Sequence, residues 1–388
     1  MMQKSLVLAS ALSLAMASLA GAATTNYVYM TGSTAARAQV YATYNDVGVV
    51  FQAAPTVITQ GSSSANGASY MSFYGQLVGD SSGNITCVKA HWSGSEAGIA
   101  DLVSGTEAFL ADGAANSLAS ATPGPFVNSP VDLAMADNNK TYSKNPTAAI
   151  TGAFVGVIPF VFVKEKGSLA GITNVTDAQI RVILTGGSPA ALVTGNAADT
   201  SWVYLSGRDS LSGTRVNAQG DTAFGIKSSP QMVAVNADGS MLQVPAGSGT
   251  VLGDTGFGFG SGGTLAGQMG FDLSQATAVD LNVGSGHYSV ISYLGISDSQ
   301  TAVAAGGTVL TFNGVAESPS NVQQGLYTFW GNEFVYRKNT VSSQAQTVYN
   351  LLASATSGIN AHADNVKLID SRTMQATRNG PTSDVTHN

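Results

Sequence analysis

Three segments of the chain share one grammar. TGSTAAR (31–37), WSGSEAG (92–98) and SLSGTRV (210–216) each pass from glycine and small hydroxyl residues into helix-forming sequence. A helix start leaves backbone N–H groups unpaired and carries a partial positive charge. Serine or threonine there adds a hydroxyl, and glycine lets the backbone approach a ligand. Taken singly, each is an ordinary helix cap. Three of them facing one point would hold an anion. The first follows NYVYMTG, a strand by its aromatic and β-branched residues that ends at Gly32, and Ser33 and Thr34 are placed at the helix start. The third follows the apolar run 202–205. Strands alternating with helices predict an α/β fold.

Other segments fit that alternation. VDLAMADN (131–138) reads as a short strand ending on Asp137. AFVGVIPFVFVKEKG is a strongly apolar strand with Pro159 inside it. Proline cannot donate to a sheet ladder, so it belongs at an edge or a crossover. TNVTDAQIRVILTGGSP predicts a helix opened by a Thr176/Gln179 capping box and stopped near Gly186. GHYSVISYLGISD reads as strand and turn, LYTFWGNEFVYRK as an aromatic strand pair or a strand followed by a helix, and SSQAQTVYNLLASATSG as a late amphipathic helix. In the glycine-rich stretch 236–270, Gly258, Gly260 and Gly263 match G-x-G-x-x-G. Without a clear strand before it the dinucleotide reading fails, and a mobile surface loop is expected.

Bulk properties narrow the function. Only 10% of the 388 residues are charged and 44% are apolar, against about 25% charged in ordinary soluble domains. A chain of this length can hold two domains and a sizeable core. Residues 1–22 carry Lys4, an apolar run too short for a bilayer span and the small-residue end Ala20-Gly21-Ala22, which predicts a cleavable secretory signal. A lipid-anchor cysteine is absent at that point and no later stretch is long enough to cross a membrane. Losing Lys4 moves the net charge from −7 to −8, with 15 basic against 23 acidic residues left. That argues against nucleic-acid binding, but not against a small anion in a local positive field. Cys87, the single cysteine, is expected to be a buried small hydrophobe. The four histidines show no metal-ligand spacing, so no metal or other cofactor is expected.

The chain resembles the phosphate-binding proteins that serve periplasmic ABC importers. Arg208-x-x-x-Ser212-Gly213-Thr214 resembles that family's arginine-to-serine-glycine-threonine loop. GSTAAR resembles its first phosphate loop, SGSEAG its second, and DLAMADN its strand ending in a ligand-facing aspartate. GVIPFVFV resembles its crossover between lobes. The resemblance implies a two-lobed periplasmic-binding-protein clamshell of type 2, with mixed sheets flanked by helices and two hinge crossovers. Its expected limits are a signal peptide at 1–22, lobe 1 at 23–156 and 296–388, and lobe 2 at 157–295.

It also implies a site. Ser33, Thr34 and Ala35, with Ser93, Gly94 and Ser95, would offer donors from one lobe, and which serine makes the contact is open. Arg208, Ser212, Gly213 and Thr214 would close from the other, and Asp137 would be the acceptor. A carboxylate beside an anion repels it unless a proton lies between them. Hydrogen phosphate brings that proton and sulfate does not, so Asp137 would select the first. The partners implied are inorganic phosphate and an ABC permease, for a monomer in the periplasm or secreted, with no catalytic step. A binder of sulfate or molybdate, or a surface protein that kept the clamshell alone, are the alternatives. Arg215, which departs from the family pattern, either adds charge to the cup or pairs on the helix surface.

Overall fold

The computed structural model describes residues 24–62, 64–118, 122–235, 241–244, 258–273 and 288–388. The expected signal segment and, within the glycine-rich stretch, residues 236–240 and 245–257 lie outside the described residues. Among the described residues no helix is long and apolar enough to cross a membrane.

One mixed sheet organises the fold. Its strands in chain order are β1 (Thr25–Gly32), β2 (Thr56–Gln60), β3 (Tyr70–Gly75), β4 (Ile85–His91), β5 (Leu133–Ala136), β6 (Ile150–Lys164), β7 (Ser188–Pro189), β8 (Trp202–Leu205), β9 (Tyr288–Gly295), β10 (Thr308–Val309) and β11 (Trp330–Lys338). They lie in the order β7-β8-β9-β6-β11-β5-β1-β4-β3-β2, with β10 paired on β6. β1 is parallel to β4 and β5, and β8 is parallel to β9. The remaining pairs are antiparallel.

Helices cover the sheet: α1 (Arg37–Asn45), α2 (Ser95–Ser104), α3 (Asp177–Ile183), α4 (Gly213–Asp221), α5 (Gly262–Gln268), α6 (Ile296–Ala304) and α7 (Ser343–Ala353). α2 packs on β1 and β5, α7 on β11, α4 and α5 on β9, and α6 on β6 and β9. α1 buries Val40 and Tyr44, whose ring meets Phe73 with centroids 4.6 Å apart. α3 opens on the Thr176/Gln179 capping box and ends before Gly186, which has φ 132°. Cys87 is fully buried on β4, and burial pushes its thiol up to about 12.

β6 ties the two halves of the sheet together. Ile150 to Pro159 pair with β11, and Phe160 to Lys164 pair with β9. Pro159 stands at the changeover, where its missing N–H interrupts neither ladder. Val155, Val157, Ile158 and 160–163 are each at most 1% exposed, as expected of a strand covered on both faces. Burying side chains of this size contributes about 1.5–3 kcal/mol each.

Some local expectations change. α1 starts at Arg37 with Ala36 as its cap, later than Ser33 and Thr34. ISD opens α6, where a turn was expected. The aromatic segment is the single strand β11. Residues 296–329, expected with the first lobe, lie beside the second half of β6. α6 packs on β6 and β9, Thr308 pairs with Lys164, and Phe312 pairs with Val175. The chain rejoins the first half where Phe329 accepts from Phe160 N–H at 3.0 Å and Trp330 faces Pro159.

Candidate functional site

The parallel strands β1, β4 and β5 end side by side, and chain from the end of β8 reaches across to them. In open α/β sheets ligands bind beyond such carboxyl ends. Gly32 has φ 118°, and a β-carbon there would strike the Met135 carbonyl. Its backbone turns so that Ser33 N–H donates to Met135 O at 2.8 Å. The buried Ser33 hydroxyl donates to Glu333 Oε2 at 3.3 Å. Gly94, with φ 108°, caps α2 without a side-chain bond. Ser95 Oγ donates to Asp137 Oδ1 at 2.8 Å and accepts from Asp137 N–H at 3.2 Å. Ser93 is turned away to Thr31, with the hydroxyls 2.6 Å apart. Of the two serines, Ser95 is the one on the aspartate.

The opposite wall comes from 206–217. Arg208 is 3% exposed. Its Nε donates to Phe259 O at 3.0 Å, and its Nη2 donates to Gly260 O at 2.9 Å. Tyr293 OH accepts from Arg208 N–H at 3.1 Å. Ser212 caps α4, accepting from Arg215 N–H at 3.3 Å. Gly213 follows, seated so closely that a β-carbon would overlap Asp137 Oδ1. Thr214 is buried in the first turn of α4. The walls also touch through backbone: Glu96 N–H donates to Leu211 O at 3.0 Å. Asn217 Nδ2 donates to Asp137 O and to Gly213 O, each at 3.0 Å.

Thr34 and Ala35 stand apart from that contact. They line a neighbouring cavity of about 180 Å³ with Arg37, Ser297, Asp298 and Lys367. The starts of α1 and α6, neither capped by a side chain, border it. The structure therefore brings Ser95, Asp137, Ser212 and Gly213 together at one point. Arg208 is coupled to them by charge, and Thr34 and Ala35 lie along the adjoining cleft.

Electrostatics follow from burial. Asp137 is 2% exposed. Burial pushes its carboxyl up to about 6, while the Ser95 hydroxyl and the Arg208 charge pull it down. Burial raises Asp298 too, opposed by the charges of Arg208 and Arg37. Glu96 is raised by burial, and it accepts from Asn138 Nδ2 at 2.9 Å and Lys144 N–H at 2.8 Å. Arg215 is buried, not on the helix surface, and donates to Arg208 O and to Gln219 Oε1, each at 3.3 Å. Burial lowers its pKa.

The sequence reading missed Glu333, Asp298, Asn217 and the role of residues 258–260. Phe259 is 3% exposed and pairs with Arg208 as a short β-bridge. A β-carbon on Gly258 would strike the Arg208 carbonyl. That part of the glycine-rich stretch is a packed collar around Arg208, which corrects the expected surface loop. Glu333 did leave a sign, a lone acid inside an aromatic run.

No protein-family model matches the chain. No curated protein matches it either. Solved structures do. A protein of Clostridium perfringens assigned as a phosphate ABC transporter substrate-binding protein, with phosphate bound, covers 89% of this chain and 99% of its own at 14% identity, with a TM-score of 0.52. An ABC-type phosphate transport receptor of Vibrio cholerae covers 85% of this chain and 94% of its own at 14% identity, with a TM-score of 0.47. At such identities the likeness speaks to fold, and the first carries it. The chain shares that structure's clamshell fold, a mixed α/β architecture with a large mixed sheet flanked by helices.

Proposed function

We propose that the chain is a periplasmic or secreted solute-binding protein that captures hydrogen phosphate between two lobes and presents it to an ABC importer. One observation carries the reading. A fully buried aspartate, Asp137, is held by Ser95 between the starts of α2 and α4, in the field of a buried arginine. Helix starts and Arg208 favour an anion, while Asp137 demands that the anion bring a proton. The phosphate-bound Clostridium perfringens neighbour supports the same ligand class. Nothing in this arrangement calls for a covalent step.

On this reading Gly94 and Ser95, with Thr34 and Ala35 along the adjoining cleft, are the donors on one side, and Arg208 and Ser212–Thr214 those on the other; Ser33 and Ser93 are held by Glu333 and Thr31 and would join only by leaving them. Gly213 must lift from Asp137 to admit the ion, so phosphate enters an open form and stabilises a closed one. The hinge crossings are β6 at Pro159 and the return at 328–330, which moves 296–329 into the second lobe. Calorimetric titration of inorganic phosphate into the purified protein tests the function. Micromolar or tighter binding is expected. Absence of heat together with an unshifted melting temperature would refute the reading.

A further inference from the structure

Glu333 lies in β11, where the register against β6 shifts between Glu333 and Phe334. Such a bulge re-aims a side chain and recurs beside binding sites. On the other edge of β11, Phe334 faces Ala136 and Val335 faces Met135. Asp137 follows directly where that ladder ends, and its charge acts on Glu333. The residue has no exposed surface. Ser33 Oγ donates to its Oε2, and its Oε1 is buried without a partner. A native structure rarely leaves a buried carboxyl oxygen unmatched without a reason.

We propose that Glu333 is a further specificity-determining residue of the candidate site, whose carboxyl donates a hydrogen bond from Oε1 to the bound anion. The inference rests on the phosphate reading and deepens it. Its surroundings supply the chemistry. Asp137, just past the end of β5, acts on it by charge, Ser33 of the β1–α1 loop donates to it, the backbone of Gly156 on β6 lies opposite, and Tyr336 on its own strand feels its charge. Burial, and after it the charge of Asp137, drives the Glu333 pKa well above the usual carboxylate range. A neutral carboxyl is both donor and acceptor. Ser33 occupies one oxygen, and the O–H on the other needs an acceptor. An oxyanion bearing one proton suits both acids: its O–H goes to Asp137, and one of its bare oxygens receives the Glu333 O–H. As pH rises and Glu333 ionises, that donor is lost and a second negative charge faces the anion. Affinity therefore falls on the alkaline side.

The test is titration of inorganic phosphate into wild-type, E333Q and E333L protein at pH 6, 7.5 and 9, with melting curves for each. Glutamine keeps a donor and cannot ionise. E333Q is expected to bind within about threefold of wild type at pH 7.5 and to hold its affinity at pH 9, where wild type weakens about tenfold. E333L lacks the donor and is expected to bind about 10–100-fold more weakly. Infrared spectra of the ligand-free protein should show a protonated buried carboxyl at pH 7.5 that E333Q lacks. Wild-type binding matched by both variants, in affinity and pH profile, overturns the role of Glu333 and leaves the phosphate reading standing. The absence of a protonated carboxyl overturns it likewise. If wild type binds no phosphate, the phosphate reading fails first and this role with it. Should E333L not fold, a parallel alkaline loss in E333Q and wild type is enough to overturn the proposal.

Discussion

The molecule buries two arginine–aspartate partnerships and treats them differently. Arg378 and Asp221 form a closed unit: Nη1 donates to Oδ1, Nη2 donates to Oδ2 at 3.1 Å, and the guanidinium lies 4.4 Å from the Trp330 ring centre. Their side chains are 2% and 5% exposed. Arg208 and Asp137 are as deeply buried, yet each spends its hydrogen bonds elsewhere. The arginine binds the Phe259 and Gly260 carbonyls, and the aspartate binds Ser95. A fork-to-fork pair satisfies both partners and leaves nothing for a third. A pair held apart interacts through charge alone and leaves the carboxylate without a guanidinium hydrogen bond, which is what an anion carrying a proton can use. Depth of burial does not separate the two cases; the direction of the donors does.

The largest expected effect breaks the closed pair. R378M should cost about 3–5 kcal/mol of stability by leaving Asp221 buried alone, read from the denaturant midpoint. Phosphate affinity of the folded protein should stay within about twofold. A selective loss of phosphate binding without loss of stability would show that this pair, too, belongs to the ligand. The counterpart is R208Q. It should lower phosphate affinity by about 100-fold, the scale of losing hydrogen bonds to a charged group, while costing less stability than R378M. Equal loss of stability in the two variants, with phosphate affinity intact, would erase the distinction between them.

D137N sharpens the comparison from the acid's side. Phosphate should lose about tenfold in affinity and sulfate should gain, so that selectivity collapses. Stability should move the other way. The folded-state pKa of Asp137 lies at about 6 against 3.8 for the free group. Between those values the folded protein holds the extra proton, so wild-type stability falls as pH rises from about 4 to about 6. At about 1.4 kcal/mol per unit, this one group accounts for at most about 3 kcal/mol. D137N removes that slope, so the ligand-free variant should melt higher than wild type at pH 7 and match it near pH 4. Identical pH–melting curves would mean that Asp137 titrates as an exposed acid does.

Much of this was legible because local rules had no competitor. β1 stops at Gly32, β5 stops before Asp137, and Thr176 and Gln179 cap α3 where their side chains say they should. Ser212 and Gly213 open α4 as their order predicts. What was hidden depends on contacts with no local pattern. Arg208 finds its acceptors in the carbonyls of Phe259 and Gly260, and a carbonyl leaves no mark in sequence. Glu333 meets Ser33 across 300 positions, placed by a bulge that no residue type announces. The start of α1 slipped to Arg37 because Ser33 is spent elsewhere: its N–H goes to Met135 and its hydroxyl to Glu333.

Ser212 gives the smallest effect and the finest cut. Its hydroxyl accepts from Arg215 N–H and caps α4. A cap alone predicts that S212A costs about 1 kcal/mol of stability and leaves phosphate affinity untouched. A hydroxyl has a proton to give as well as lone pairs to receive, so Ser212 can cap the helix and donate to an anion together. On that account S212A should also weaken phosphate about fivefold, roughly one neutral hydrogen bond, with thermal melts and titrations run on the same sample. S212T keeps both capacities and should restore both readings. If S212A lowers stability alone, the serine belongs to the helix, and on the second wall the anion is held by Arg208, Thr214 and backbone N–H groups.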